Sequence, residues 1–120
     1  MKSALTWFEI PVRDIIKAKV FYENVFQIKL SESTVNQYKL AIFPATEVSG
    51  ALIEEAGYVG PERSIILYLH IPDSIEAVLK RVENNAGKIV TPKTLIQEEV
   101  GWSASFRDID GNMIGLYQAV

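Results

Sequence analysis

The order of segments along the chain constrains its fold most tightly: a strand, a helix and three short strands occur twice, the second set trailing the first at a nearly constant spacing. Residues 5–12 alternate as a strand does, imperfectly at the start, with Leu5, Phe8, Ile10 and Val12 toward one face and Trp7, Glu9 and Pro11 toward the other. Asp14 stands where a helix N-cap is expected, and Ile15, Ala18, Phe21, Tyr22, Val25 and Phe26 then recur at three-and-four spacing. Residues 28–32, 38–43 and 50–54 read as strands, separated by Ser, Asn, Pro and Gly. A loop at 55–63 holds Gly57, Gly60 and Pro61. Residues 64–71, rich in Ile, Leu and Tyr, then read as a largely buried strand. Asp73 or Ser74 caps a second helix with Ile75, Val78, Leu79 and Val82 on one face, and Gly87 stands where a left-handed helix cap is expected. Strands at 88–91, 102–107 and 113–119 follow, the last two joined by the turn signal Asp108-Ile109-Asp110-Gly111-Asn112.

A shift of 59 places Val12 on Ile71, Asp14 on Asp73, Lys29 on Lys88 and Leu30 on Ile89, and a shift of 63 places Phe43 on Phe106. The expected architecture is an α+β fold of two βαβββ modules in one domain spanning 1–120: module one at about 1–55, a linker at about 55–63 and module two at about 64–120. The competing architecture is a ferredoxin-like α+β sandwich with additional strands.

Composition removes several classes of function. The 120 residues suit one domain and include no cysteine, which excludes disulfides, thiolate metal sites and a cysteine nucleophile. Twelve Lys and Arg against fifteen Asp and Glu give a net charge of −3 without long blocks of either sign, so nucleic acid is not an expected partner. No uncharged run exceeds ten residues, too short to span a membrane, and the N-terminus lacks the apolar core of a signal peptide. The expectation is a soluble cytoplasmic protein. The single histidine, His70, excludes any site built on several.

The residues also carry a resemblance. The opening Trp7-Phe8-Glu9-Ile10-Pro11-Val12-Arg13-Asp14, followed by Ala18, Phe21-Tyr22 and Phe26, is similar to the start of the vicinal oxygen chelate superfamily of glyoxalase I, bleomycin-resistance proteins and extradiol dioxygenases. Further similar stretches are Gly50-Ala51-Leu52, Gly57-Tyr58-Val59, Tyr68-Leu69, residues 87–93 and the closing residues 106–117. Within the superfamily the chain most resembles the branch of uncharacterised proteins related to lactoylglutathione lyase. The resemblance implies that the two modules curl into a cup-shaped mixed sheet with helices outside, that chains pair as homodimers, and that catalytic members hold a divalent metal on the first and last strands of each module. Carried onto this chain, three of those metal positions fall on Trp7, Ile66 and Gly115, and the fourth near Glu54. One carboxylate does not hold a catalytic metal, which needs about three protein ligands. No metal or other cofactor is therefore expected unless Glu9, His70 and Glu54 converge. A two-histidine, one-carboxylate iron site is impossible, which removes extradiol dioxygenase chemistry.

Glu9 shares the parity of Trp7 and thus faces the cup, as a general base or as an anchor for a cationic ligand group; otherwise it pairs with Arg107, Arg63 or a lysine at the sheet rim, or is simply exposed to solvent. His70 shares the parity of Ile66 and Tyr68 and points to the cup mouth. Tyr68, Met113 and Tyr117 are expected beside Trp7 in an aromatic lining for a small organic ligand. Trp102 follows the acidic Glu98-Glu99 pair in a loop placed to act as a lid. The 108–112 turn lacks the spacing of a calcium loop and is explained by hairpin chemistry. Two readings follow: a metal-independent protein that binds a small organic molecule in an aromatic and acidic cup, or a glyoxalase-like lyase or isomerase that uses Glu9 as base.

Overall fold

In the computed structural model, which describes residues 3–5, 7–62 and 65–120, the chain runs β1 (Trp7–Val12), α1 (Ile15–Phe26), β2 (Ser31–Val35), β3 (Tyr38–Ile42), β4 (Ser49–Glu54), β5 (Leu67–Leu69), α2 (Ile75–Asn84), β6 (Lys88–Gln97), β7 (Gly101–Arg107) and β8 (Met113–Ala119). The first four strands form one sheet in the order β1-β4-β3-β2, and the last four form a second in the order β5-β8-β7-β6. In each sheet the first and last strands of a module pair in parallel and the remaining pairs are antiparallel. The fold is thus α+β, with the two βαβββ units that the repeated order of segments predicts and the curled mixed sheets that the resemblance implies.

Both helices form for the reasons visible in their sequences. Asp14 accepts hydrogen bonds from the amides of Ile16 and Lys17, and Ser74 accepts one from Ala77, so each helix begins on a capped turn. The buried residues of α1 are Ile15, Ala18, Phe21, Tyr22, Val25 and Phe26, and those of α2 are Ile75, Val78, Leu79 and Val82, the stripes that the spacing predicts. They pack on Ile10, Val12, Leu52, Phe106, Ile114 and Leu116 in one continuous core, where each fully buried large side chain contributes about 1.5–3 kcal/mol. The helices also touch each other: Arg81 donates from Nε to the Val25 carbonyl, and Asn24 to the Asn85 side chain.

Several local expectations are corrected. Of the two candidate caps for α2 Ser74 is the one used, which moves the repeat of the helices from a shift of 59 to 60; the core-facing Phe8, Ile10 and Val12 still correspond to Leu67, Leu69 and Ile71 at 59. The left-handed residue after α2 is Ala86, at φ 68°, and not Gly87. The amides of Ala86 and Gly87 return to the carbonyls of Glu83 and Val82 in a Schellman closure. Gly87 is small for another reason, since a Cβ there would lie 2.7 Å from the Val82 side chain. The strand expected at 28–32 begins three residues later; Leu30 is buried in the connection, its amide held by the Glu23 carboxylate. That contact is the chief reason Glu23 titrates below the usual glutamate range. The strand expected over 64–71 is reduced to three residues and is not largely buried: Tyr68 is 60% exposed, Leu67 and Leu69 are only partly buried, and Ile65 ahead of them is 85% exposed. No helix among the described residues is long and apolar enough to cross a membrane.

The two modules are joined by polar contacts at the β7–β8 turn. Tyr22, fully buried on α1, donates to Asp108 Oδ2 at 2.6 Å. Oδ1 of Asp108 accepts the amides of Asp110 and Asn112, and the Asn112 side chain donates to Oδ2. Asp110 in turn accepts the Arg13 amide and guanidinium, and Asn112 donates to the Pro11 carbonyl at 2.8 Å. The linker lies against the same turn, where a Cβ on Gly60 would stand 2.5 Å from the Asp110 carbonyl oxygen. Arg107, considered above as a partner for Glu9, instead donates to the carbonyls of Pro61, Glu62 and Gly111. Burial pushes the Asp108 carboxyl above the usual aspartate range despite its hydrogen bonds, and burial beside Asp108 pushes the Tyr22 phenol well up.

Candidate functional site

The residues expected to line one cup do not share a cavity: Trp7, Glu9 and Met113 line one, Tyr68, His70 and Tyr117 another, and Trp102 neither. Trp7 and Glu9 stand on the side of β1 away from α1, as alternation requires, and the indole Nε1 donates to Glu9 Oε2 at 3.3 Å. With Met113 at the start of β8 they line a cleft of about 600 Å³, whose other walls include Pro11, Tyr58, Pro61, Ile65 and Asn112. Glu9 is the one charged side chain among the described lining residues. Tyr58 was not singled out for the site by sequence. It sits in the linker, where the only signal was its place in the Gly57-Tyr58-Val59 stretch, and its hydroxyl donates to Asn112 Oδ1 at 2.5 Å. Burial, then the Asp108 charge, raise its pKa.

Tyr68, His70 and Tyr117 line a second cavity of about 630 Å³ with Ile96, Val100 and Ser103. Tyr68 and His70 also border a third, apolar space of about 630 Å³ beside Phe8, Phe43 and Val48. The Tyr117 hydroxyl donates to the Val100 carbonyl at 2.6 Å, which ties β8 to the β6–β7 hairpin. That hairpin is closed by a turn from Gln97 to Val100, so the segment expected to act as a lid is the end of a two-stranded ribbon. Trp102 lines none of these three cavities. It stands on the opposite face of β7, packed on the core and covered by Lys93 Nζ 4.6 Å from the ring centroid; Lys93 also pairs with Glu76 of α2.

Register identifies the fourth of the positions at which the resemblance places a metal ligand. Glu9 lies opposite Ala51 and Tyr68 opposite Gly115, so the counterpart of Gly115 in module one is Ala51 and not Glu54. The carboxylate of Glu54 is already in use, accepting the Ile15 amide at the start of α1 at 3.0 Å. The four positions therefore hold Trp7, Ala51, Ile66 and Gly115, none of which offers a metal-binding group. At Gly115 the room for a side chain is itself filled, since a Cβ would lie 2.7 Å from the Tyr68 ring. Glu9, His70 and Glu54 do not converge, and the described residues contain no group of three or more His, Asp and Glu able to hold a metal ion. These residues do not fit the divalent metal of the catalytic relatives. Arg63, the other candidate partner of Glu9, lies outside the described residues.

Residues 4–116 match the family model of the Glyoxalase/Bleomycin resistance protein/Dioxygenase superfamily. The chain belongs to that superfamily. Among solved structures it is similar to a glyoxalase/bleomycin resistance protein from Streptomyces sp. CB03234, at 26% identity, 93% of this chain and 97% of that one, with a TM-score of 0.68. A glyoxylase/bleomycin resistance protein/dioxygenase domain from Frankia sp. EAN1pec shares the fold at 17% identity, covering 98% of each chain, with a TM-score of 0.75. So does a genomically encoded fosfomycin resistance protein from Listeria monocytogenes, at 18% identity, covering 100% of this chain and 94% of that one, with a TM-score of 0.72. No curated protein matches the chain.

Proposed function

We propose that this superfamily member binds a small organic molecule without a metal, in the cleft where Trp7, Glu9, Tyr58 and Met113 meet. The observation that carries the reading is the replacement of all four metal positions by Trp7, Ala51, Ile66 and Gly115, beside a cleft that retains an aromatic wall and a carboxylate. Such a cleft has the size and mostly apolar walls of small-molecule sites, with a few polar groups to orient the ligand. Protein purified from metal-replete medium is expected to carry far less than one equivalent of divalent metal per chain, measured by mass spectrometry of the elements. A stoichiometric metal lost on Glu9→Gln overturns the reading. With Trp102→Phe leaving Trp7 as the sole indole, ligand binding is expected to change its emission.

A glyoxalase-like lyase or isomerase is the second reading, favoured by the Glu9 carboxylate standing in one cleft with the Tyr58 hydroxyl. Glu9 would take a proton next to a carbonyl, and Tyr58 would have to release Asn112 to stabilise the resulting enediolate. Turnover of the methylglyoxal–glutathione hemithioacetal, abolished by Glu9→Gln, is its test; turnover unchanged by the substitution removes Glu9 as the base. Pairing of two chains belongs to the same proposal, because the free sheet surfaces expose Trp7, Tyr68, Leu95, Ile96 and Tyr117. Light scattering at micromolar concentration is expected to return twice the mass of one chain.

A further inference from the structure

We propose that the ligand of the Glu9 cleft is an organic cation: an amine or quaternary ammonium group carried on a small apolar body. The inference rests on the reading that this cleft holds a small molecule, and it names the chemical class. Among the described lining residues there is one carboxylate and no Lys, Arg or His. The cleft therefore presents a negative charge against walls of Leu, Ile, Pro and Met, and a carboxylate against apolar surface gains most from a partner that brings the opposite charge. A neutral ligand leaves that charge uncompensated, and an anion is repelled.

The neighbours of Glu9 strengthen the choice. Trp7 is 44% exposed, and its Nε1 donates to Oε2 of Glu9, which holds the indole and the carboxylate side by side. A cation beside the carboxylate is then within reach of the ring, the arrangement in which an indole adds a cation–π attraction. Tyr58 supplies a second aromatic wall, and its hydroxyl is already committed to Asn112, so it is not a free donor that would favour an anion. The second cavity offers a contrast inside the same chain. His70, Tyr68, Tyr117 and Ser103 line it without a carboxylate, and nothing there selects a cation.

The test compares three probes of one skeleton, phenethylammonium, 2-phenylethanol and phenylacetate, titrated at neutral pH into the full chain carrying Trp102→Phe while Trp7 emission is followed. An exposed charge pair and a cation–π contact together make phenethylammonium about tenfold tighter than 2-phenylethanol, and phenylacetate the weakest. Glu9→Gln is expected to cut the preference to about threefold, the part that the cation–π contact with Trp7 supplies, and to leave 2-phenylethanol binding unchanged. Equal affinity for the ammonium and the alcohol, or a tenfold preference undiminished by Glu9→Gln, overturns the cation assignment while small-molecule binding stands. Preferred binding of phenylacetate, abolished by Arg63→Ala, also overturns it and makes the cleft an anion site. Failure of all three probes to change Trp7 emission removes small-molecule binding in this cleft, and the cation assignment falls with it.

Discussion

At the junction of the two modules Asp108 is 5% exposed and each of its carboxylate oxygens accepts two hydrogen bonds, whereas Glu9 lies open on β1 with the Trp7 indole as its partner at 3.3 Å. The two groups have the same chemistry and opposite situations. A buried acceptor with every lone pair engaged fixes its donors in place and has nothing left for a ligand. An exposed acceptor with one long contact among the described residues has lone pairs left for a ligand. Among acidic residues near a cavity, the site candidate is the one whose own protein has not used it.

Substitution at the junction should have the largest effect. Asp108→Ala removes the acceptor for Tyr22, Asn112 and two backbone amides, and is expected to cost about 3–4 kcal/mol in urea unfolding, through buried donors left without partners. A loss below about 1 kcal/mol would put Asp108 in the same class as Glu9 and dissolve the contrast. Tyr22→Phe deletes a single hydrogen bond to that carboxylate and should cost about 1.5–2 kcal/mol with little change of shape. Dependence on pH sharpens the distinction further. The Asp108 carboxyl titrates above its ordinary value when folded, so the folded state holds that proton more tightly than the unfolded chain. Its contribution is full below the ordinary value of 3.8 and is lost as pH rises through the raised one. The stability of the wild type relative to Asp108→Asn should therefore increase as pH falls across that window. Asp73 has the opposite sign, since hydrogen bonds from Arg81 hold its carboxyl low. Wild type relative to Asp73→Asn should lose its advantage as pH falls from 3.8 through the lowered value.

The helices were legible because a buried stripe repeats every three or four residues, and every residue so placed is in the core. The parity of β1 was legible for the same reason. What the sequence withheld was whatever depends on a distant partner. Tyr22 and Asp108 are 86 residues apart, and neither side of that bond announces the other. The 108–112 segment read as a turn, which it is, but its side chains also join the modules. Glu54 stands near the fourth metal position only by what the resemblance implies; it supplies instead an acceptor for the first amide of α1. The apolar run at 64–71 could not reveal that Tyr68 stays exposed on β5, and the edge strand β2, Ser-Glu-Ser-Thr-Val, carries almost no hydrophobic signal. The division of the lining residues between two cavities is likewise a property of how the sheets meet. Trp7 and Tyr68 are both exposed on first strands, yet they open onto different spaces.

The smallest expected effect is the most discriminating. Glu9→Gln should leave unfolding free energy within about 0.5 kcal/mol of the wild type, because the glutamate is exposed and its one hydrogen bond among the described residues is long and replaceable by an amide oxygen. Equilibrium denaturation at neutral pH checks this, and the slope against urea should be unchanged because the same surface is buried in both proteins. A residue kept for stability would show its loss here. A residue kept for ligand binding shows nothing here and everything in the titration with phenethylammonium, so the pair of measurements separates the two roles without reference to any substrate. Destabilisation by more than about 1 kcal/mol would mean that Glu9 helps hold β1 against the linker. The open carboxylate would then be a second, smaller version of the junction at Asp108.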